Sequence, residues 1–237
     1  MPGEKNNKII WLGGGAENSG TSTALIPVCD HYSTDDAAVV IDFTDDQKTL
    51  NRFSATMKTV RANAWGDIPK VCKSISAGSA SAIIIDLPAV VPPEYLKLIR
   101  GAADEAGYKI NCAFTISKAA SSLEALNSAK KSGVISISNQ TVILLNHFYG
   151  TPAEFEKIRK SRHLVELTDA QIARVDVMQK QFYSVEDVFD LAPDLSPQEL
   201  FDLGPLTIAT AVELSTWLKK TKIALGLPPA SRRNRTV

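Results

Sequence analysis

The fold is decided by the stretch Lys8-Ile-Ile-Trp-Leu-Gly-Gly-Gly-Ala-Glu-Asn-Ser-Gly-Thr-Ser-Thr23. A short apolar segment runs into a glycine-rich turn, and hydroxyl residues and an apolar helical pattern follow. Residues 15–22 read Gly-x-x-x-x-Gly-Thr-Ser, which matches a phosphate-binding loop except that Thr21 stands in place of lysine. We therefore predict a strand, a turn of the phosphate-binding type and the start of a helix.

Apolar runs alternate with helical patterns in the segments that follow. The strands predicted from these runs span residues 37–42, 81–86, 110–116 and 141–146. The helices predicted around them span residues 22–32, 44–58, 67–77, 92–106 and 121–131. Because strands that are apolar on both faces belong in buried parallel sheets, the alternation predicts an α/β domain. Its sheet is expected to be doubly wound and mostly parallel, with helices on both faces.

The last third of the chain is predicted to be mainly helical. Helix-start patterns occur at Thr151, Thr168 and Ser196, and residues 164–167 are predicted to form a short edge strand. An apolar stripe over residues 205–225 predicts a long helix that packs on one face of the sheet. We expect one domain over residues 1–237, with a core at 8–150, a helical C-terminal part at 151–225 and a basic tail at 226–237.

The composition is that of an ordinary soluble globular protein. Apolar residues make up 44% of the chain, charged residues 22%, and the formal net charge is +0. Attraction of the whole surface to nucleic acid or to an anionic membrane is therefore not indicated. Charge is concentrated only in Arg232-Arg-Asn-Arg235, for which a solvated tail and a contact with nucleic acid or lipid are the alternatives. Since no apolar run approaches the length of about 20 residues that spans a bilayer and no signal peptide is evident, we expect a cytoplasmic protein.

The cysteines and histidines predict neither a disulfide framework nor a zinc site. Cys29, Cys72 and Cys112 form no Cys-x-x-Cys pair, and we expect reduced thiols. No pattern of a catalytic triad surrounds the histidines. His147, which directly follows Asn146, is the histidine that we keep as a candidate ligand contact.

Polar residues close several of the predicted strands. Asp42, Asp86 and Asn146 end three of the apolar runs, and the glycine-rich loop follows the first strand. Each residue alone is explained by the frequent use of Asp and Asn where strands end. Ligands bind outside the carboxyl ends of the strands in open parallel sheets, so the joint occurrence of these residues predicts a ligand site at that edge.

The order of these segments resembles that of the ParA/MinD group of deviant-Walker P-loop ATPases, and within it the ParA-like proteins of plasmid partition and conjugation. The resemblance rests on Ala16-Glu-Asn-Ser-Gly-Thr-Ser-Thr23, Asp42-Phe-Thr-Asp45, Ile83-Ile-Ile-Asp-Leu-Pro88 and Asn146. It covers the core at residues 8–150. It implies a P-loop NTPase fold, ATP and Mg²⁺ as cofactors, and a homodimer or a partnership with another plasmid or conjugation protein.

The resemblance also implies roles for individual residues. Asp42 and Asp45 would be the catalytic carboxylates that position water, and Ser22 and Asp86 would hold Mg²⁺. Asn146 would contact adenine. The residues that would surround the phosphates are Gly15, Ser19, Gly20, Thr21, Ser22 and Thr23.

The loop departs from the family pattern at its charged positions. Ala16 and Thr21 stand where the family has lysines, and Glu-Asn at residues 17–18 replaces two glycines. Loss of the lysine before the hydroxyl pair removes a charge-assisted contact worth roughly 1.5–3 kcal/mol. Because phosphoryl transfer depends on charge neutralisation, we expect ATP binding to be weak or absent and hydrolysis to be slow or absent. Lys48 and Lys118 are the candidates to supply the missing charge.

Two other functions stay open. A non-catalytic interaction module would keep the P-loop fold and use the loop only to turn a strand into a helix. An NAD-binding Rossmann oxidoreductase would use Gly13-x-Gly15 as its fingerprint and Asp42 as its ribose-binding acid. That fingerprint needs glycine where Asn18 stands, and it leaves Asp86 unexplained.

Overall fold

The computed structural model describes residues 8–17, 19–33, 38–43, 50, 57–62, 65–146, 151–167, 170–175 and 208–227. Its strands form one seven-stranded sheet. They are β1 (Ile9–Gly15), β2 (Ala38–Asp42), β3 (Lys58–Arg61), β4 (Ala82–Asp86), β5 (Lys109–Ile116), β6 (Gln140–Asn146) and β7 (Ala170–Val175). The order across the sheet is β3-β2-β4-β1-β5-β6-β7, and every neighbouring pair is parallel.

The helices lie between the strands and, in the case of the last one, after β7. Those described are α1 (Thr21–Tyr32), α2 (Ile68–Ser76), α3 (Pro93–Ala106), α4 (Ala120–Ser132), α5 (Pro152–Arg159), α6 (Arg162–Val165) and α7 (Ile208–Ala224). The capping box predicted at the start of α5 is present. The Thr151 side chain accepts a hydrogen bond from the Glu154 backbone N–H, and the Glu154 carboxylate accepts one from the Thr151 backbone N–H.

Both faces of the sheet are covered, as the apolar strands predict. In β4 every residue is buried, and its side chains alternate between two apolar cores. Ile83 and Ile85 belong to the core on the face of α2, α3 and α4, whereas Ile84 packs on the opposite face with Leu25 and Val28 of α1. Each such buried side chain contributes about 1.5–3 kcal/mol of stabilisation. The doubly wound parallel α/β fold is confirmed.

The strand order does not fit the dinucleotide-binding interpretation. In that fold the first two strands of the chain lie side by side. Here β4 lies between β1 and β2, because Asp86 pairs in register with Gly13 on one side and with Asp42 on the other. Asp42 is therefore one strand away from the glycine-rich loop, not beside it where a ribose-binding acid belongs.

The helix predicted at residues 44–58 is wrong at its end. Lys58 begins β3, which pairs with β2 along Val39 to Asp42. Of the rest of that prediction, Leu50 and Met57 are described and buried, and the other residues lie outside the described part of the chain. A strand of 4 residues carries too little pattern of its own to be recognised, so pairing with β2 decides its structure.

Two predictions for the C-terminal part, residues 151–225, are wrong: the edge strand at 164–167 and the helix after Thr168. Residues 164–167, predicted as an edge strand, overlap α6, where the Val165 N–H bonds to the Ser161 carbonyl. The predicted helix after Thr168 is replaced by β7, which pairs with β6. The open edge of β6 decides this segment against its local helix-start pattern. Ser196 and residues 228–237 lie outside the described residues.

The long C-terminal helix is found where the apolar stripe predicts it, as α7. Cys29, Cys72 and Cys112 form no disulfide. Among the described helices, none is long and apolar enough to cross a membrane.

Candidate functional site

The glycine-rich loop connects β1 to α1 at the carboxyl edge of the sheet. Gly20, directly before α1, has φ 89°, a left-handed conformation that glycine adopts without strain. Its carbonyl accepts the Ala24 N–H at 2.9 Å, which starts the helix. At Gly15 a Cβ would collide with the hydroxyls of Ser19 and Thr21. The loop therefore needs glycine at both ends of the Gly-x-x-x-x-Gly pattern.

Ser22, in the first turn of α1, joins the loop to β4. Its Oγ donates a hydrogen bond to Asp86 Oδ2 at 2.5 Å. The backbone brings these side chains together because β4 lies next to β1, with Asp86 in register with Gly13. The two residues predicted to hold Mg²⁺ are thus in direct contact.

Asp42 and Asp86 form a pair of buried carboxylates. They lie side by side in the register of β2 and β4, and their exposed fractions are 5% and 1%. Burial and the nearby Asp42 charge raise the pKa of Asp86 to about 7, although the hydrogen bond from Ser22 acts in the opposite direction. Two carboxylates held this way disfavour being charged together unless a cation joins them.

The chemistry of this donor set fits a magnesium ion. Mg²⁺ takes oxygen ligands and usually keeps several waters, so one hydroxyl and one or two carboxylates suffice. The described residues contain no group of three or more His, Cys, Asp or Glu that could hold a metal ion, so a site here depends on the hydroxyl as well as the carboxylates. Ser22 and Asp86 are the residues that would bind the ion, with Asp42 beside them.

Asn146 lies at the carboxyl end of β6 and is buried. Its Nδ2 donates a hydrogen bond to the Ser19 carbonyl at 2.9 Å. One N–H of this amide therefore holds the loop backbone in place, and the adenine contact of Asn146 stays a prediction.

No basic side chain stands at residues 16 and 21, the two loop positions where the resemblance would place lysines. Ala16 is buried, Glu17 is exposed, and the Thr21 hydroxyl lies 3.2 Å from that of Ser19. The Lys118 ammonium lies 3.4 Å from a Glu154 carboxylate oxygen in an exposed ion pair, so it does not serve the loop in this structure. Other predicted site residues, Asp45, Lys48 and His147, lie outside the described residues.

Two further residues border the loop that are not among the predicted site residues. Thr115 near the end of β5 and Trp217 of α7 line a small cavity of about 10 Å³ together with Thr23 and Asn146. The Thr115 hydroxyl is buried and has no hydrogen-bond partner in the described part of the chain. A polar residue near the end of a strand was a usable signal for Thr115. No local signal marks Trp217, because it comes from a distant helix.

Comparison with known proteins supports the fold alone. No protein-family model matches the chain, and no curated protein matches it significantly. Among solved structures, the ATP complex of a McdA variant from Cyanothece aligns with a TM-score of 0.57 and 11% identity, over 97% of this chain and 100% of that one. MinD in the MinC:MinD cell division complex of Aquifex aeolicus gives 0.55 and 13% identity, over 95% and 99%.

A putative plasmid partition protein from Borrelia burgdorferi bound to AMPPNP gives a TM-score of 0.55 at 11% identity, over 90% of this chain and 97% of that one. At such identities the likeness shows that this chain shares the fold of ParA/MinD-like partition and cell-division proteins. The P-loop NTPase-like fold predicted from the sequence is confirmed.

Proposed function

We propose that this chain is a ParA/MinD-like nucleotide-binding protein of plasmid maintenance or conjugative transfer, which binds ATP with Mg²⁺ weakly and hydrolyses it slowly or not at all. The observation that carries the proposal is the 2.5 Å contact between Ser22 and Asp86 at the start of α1. Solved structures of the same fold contain ATP or AMPPNP, which supports the choice of ligand.

In this proposal the backbone N–H groups at the start of α1 receive the phosphates, because a helix N-terminus offers free donors and a favourable dipole. Ser22 and Asp86 hold Mg²⁺, and bound Mg²⁺ supplies positive charge to the phosphate oxygens. Asp42, beside Asp86, orients water at the edge of the site. Ser19 and Thr21 have to turn their hydroxyls away from Gly15 to make room for a phosphate group.

Weak binding and slow hydrolysis follow from the charges of the loop. Ala16 and Thr21 supply no cation, and Glu17 adds a negative charge near an anionic ligand. Phosphoryl transfer relies on preorganised positive charge, so Mg²⁺ alone leaves the transition state poorly stabilised. A protein with this site is suited to respond to nucleotide as a homodimer, or as the partner of an active plasmid or conjugation protein, in the cytoplasm.

A second candidate function is a non-catalytic interaction module. The observation in its favour is that the loop is closed on itself. The hydroxyls of Ser19 and Thr21 lie over Gly15, and Asn146 donates to the Ser19 carbonyl. In that case the loop only turns β1 into α1, and the surface of the fold performs the function.

Calorimetry with ATP and Mg²⁺ separates the two. We expect binding heat for the wild type, loss of that heat in Ser22→Ala, and wild-type heat in Ser136→Ala. Ser136 is a matched control, since its exposed hydroxyl donates a hydrogen bond to the nearby Gly133 carbonyl and lies away from the loop. Absent heat in the wild type, or heat unchanged by Ser22→Ala, removes the nucleotide site. ATP hydrolysis well above background that disappears in Asp42→Ala would rule out the non-catalytic interaction module.

A further inference from the structure

The C-terminal helix α7 lies beside α1, the helix that begins at the loop. Its buried side chains lie along one face at helical spacing: Leu214, the adjacent Trp217 and Leu218, Thr221 and, just after the end of the helix, Leu225. Leu225 belongs to the same apolar core as side chains of α1. The position of α7 is therefore tied to that of α1.

An ion pair adds a second tie between the two helices. Lys222 Nζ binds Asp30 Oδ2, and the side chains are only 22% and 11% exposed. Breaking a pair this little exposed leaves a poorly solvated charge, which makes the pairing specific even where its net stabilisation is small. Lys222 thus fixes α7 against the second half of α1, whereas Trp217 reaches the first turns of α1.

Trp217 is the point at which α7 meets the site. It lines the cavity of about 10 Å³ together with Gly20 and Thr23 at the start of α1, and with Thr115 and Asn146 at the ends of β5 and β6. A cavity of this size holds one water molecule. Thr115, whose buried hydroxyl has no hydrogen-bond partner among the described residues, is one of the residues that line it.

The direction of a bound nucleotide follows from the strand order. Ser22 and Asp86 occupy the β4 side of the loop, and Asp42 occupies the β2 strand beyond it. If the phosphates lie at the start of α1 and Mg²⁺ lies on the β4 side, the rest of the ligand extends toward the opposite side, where β5 and β6 end. Among the described residues, Trp217 is the side chain of α7 that borders that side.

We propose that Trp217 determines whether the loop site accepts a nucleoside. With α7 in the observed position, the phosphate chain lies at the start of α1, the space toward Thr115 and Asn146 is too small for a base, and a shift of α7 enlarges that space. This inference rests on the proposed function, since it concerns the same loop and the same Mg²⁺ site. It makes α7 a regulatory element, because anything that moves the helix changes nucleotide affinity.

The test compares Mg·ATP with Mg·tripolyphosphate, which carries the same phosphate chain without a nucleoside. Calorimetry is performed on the wild type, Trp217→Ala, the double variant Asp30→Asn/Lys222→Met and the control Lys219→Met. The double variant removes the ion pair without leaving a lone buried charge. Lys219 is an exposed lysine of α7 and reports charge loss on the same helix.

We expect Trp217→Ala to tighten Mg·ATP binding by about fivefold or more, and to leave Mg·tripolyphosphate binding unchanged. The double variant should shift affinity in the same direction by a smaller factor, and Lys219→Met should match the wild type. The double variant keeps the test intact if Trp217→Ala fails to fold, as judged by its thermal unfolding.

An equal change for both ligands, or an unchanged or weaker affinity for Mg·ATP in the variants, would overturn the role of Trp217 while leaving the nucleotide site in place. Binding of neither ligand to any variant is a different outcome. It would overturn the proposed function, and the inference with it.

Discussion

Ser22 Oγ lies 2.5 Å from Asp86 Oδ2, so the first turn of α1 is hydrogen-bonded to the end of β4. Asp86 is also the register partner of Asp42, and both carboxylates are buried. The contact and the register pairing bring together Ser22 and Asp86, which would hold Mg²⁺, and Asp42 beside them. They also place a carboxylate that is costly to ionise beneath the loop.

Because the pKa of Asp86 is raised, we expect the free energy of unfolding of the protein to depend on pH. This pKa is raised from 3.8 to about 7 by burial and by the Asp42 charge. The native state therefore retains a proton that the unfolded chain has released, so this residue's contribution to stability falls as pH rises from 3.8 to about 7 and stays low above it. We expect Asp86→Asn to be stabilised relative to the wild type more at pH 8 than at pH 5.

Urea unfolding in metal-free buffer at both pH values measures this difference. Adding Mg²⁺ at pH 8 should stabilise the wild type and not the variant, since only the wild type carries the carboxylate. A stability difference that is the same at both pH values would contradict the raised pKa.

We expect the Asn146 side chain to restrict the motion of the loop backbone. In Asn146→Ala the Ser19 carbonyl loses the Nδ2 donor at 2.9 Å, which we expect to cost about 1–3 kcal/mol and to accelerate amide exchange in the loop. Hydrogen exchange measured by mass spectrometry over the loop peptide checks it. Asn139→Ala is the control, because Asn139 accepts the Ile110 N–H away from the loop, and it should leave loop exchange unchanged. Equal exchange in all three proteins would show that Asn146 does not hold the loop.

Thr21→Lys restores the lysine of the phosphate-binding pattern. We expect tighter Mg·ATP binding by about tenfold to a hundredfold, the equivalent of a charge-assisted contact of about 1.5–3 kcal/mol. The new side chain has to displace the Ser19 hydroxyl from Thr21, so part of this gain is lost to loop rearrangement. Thr216→Lys adds the same charge on the exposed side of α7 and should bind as the wild type does. An equal gain in both variants would assign the effect to net charge rather than to the loop.

We expect alanine substitutions at two glycines to change the stability of the protein in opposite directions. Gly20→Ala places a Cβ on a residue with φ 89° and should destabilise the fold by about 1–2 kcal/mol. Gly101→Ala lies in α3, where the added Cβ meets no atom of the described residues within 4 Å, and should stabilise by about 0.5–1 kcal/mol. Thermal unfolding of both variants decides. Stabilisation by Gly20→Ala would mean that the loop does not need the left-handed conformation.

Local pattern was sufficient for much of this fold. The continuous apolar runs that correspond to β2, β4, β5 and β6 predict buried parallel strands by themselves. The short edge strands β3 and β7 were missed, because an edge strand gains its stability from its one neighbour rather than from its own residues. In β7, the segment after Thr168, the local pattern predicts the start of a helix, and pairing along β6 overrides that pattern.

The sequence by itself determined the glycine-rich turn, the positions of Ser22, Asp42 and Asp86 at the ends of their elements, and the missing lysines. These are properties of single residues and of short-range periodicity. Only the tertiary structure decided that β4 lies beside β1, which brings Ser22 against Asp86. It also decided that Asn146 binds the loop and that Trp217 reaches it. Such contacts join segments far apart in the chain, and their geometry comes from strand order and helix packing, which no local pattern encodes.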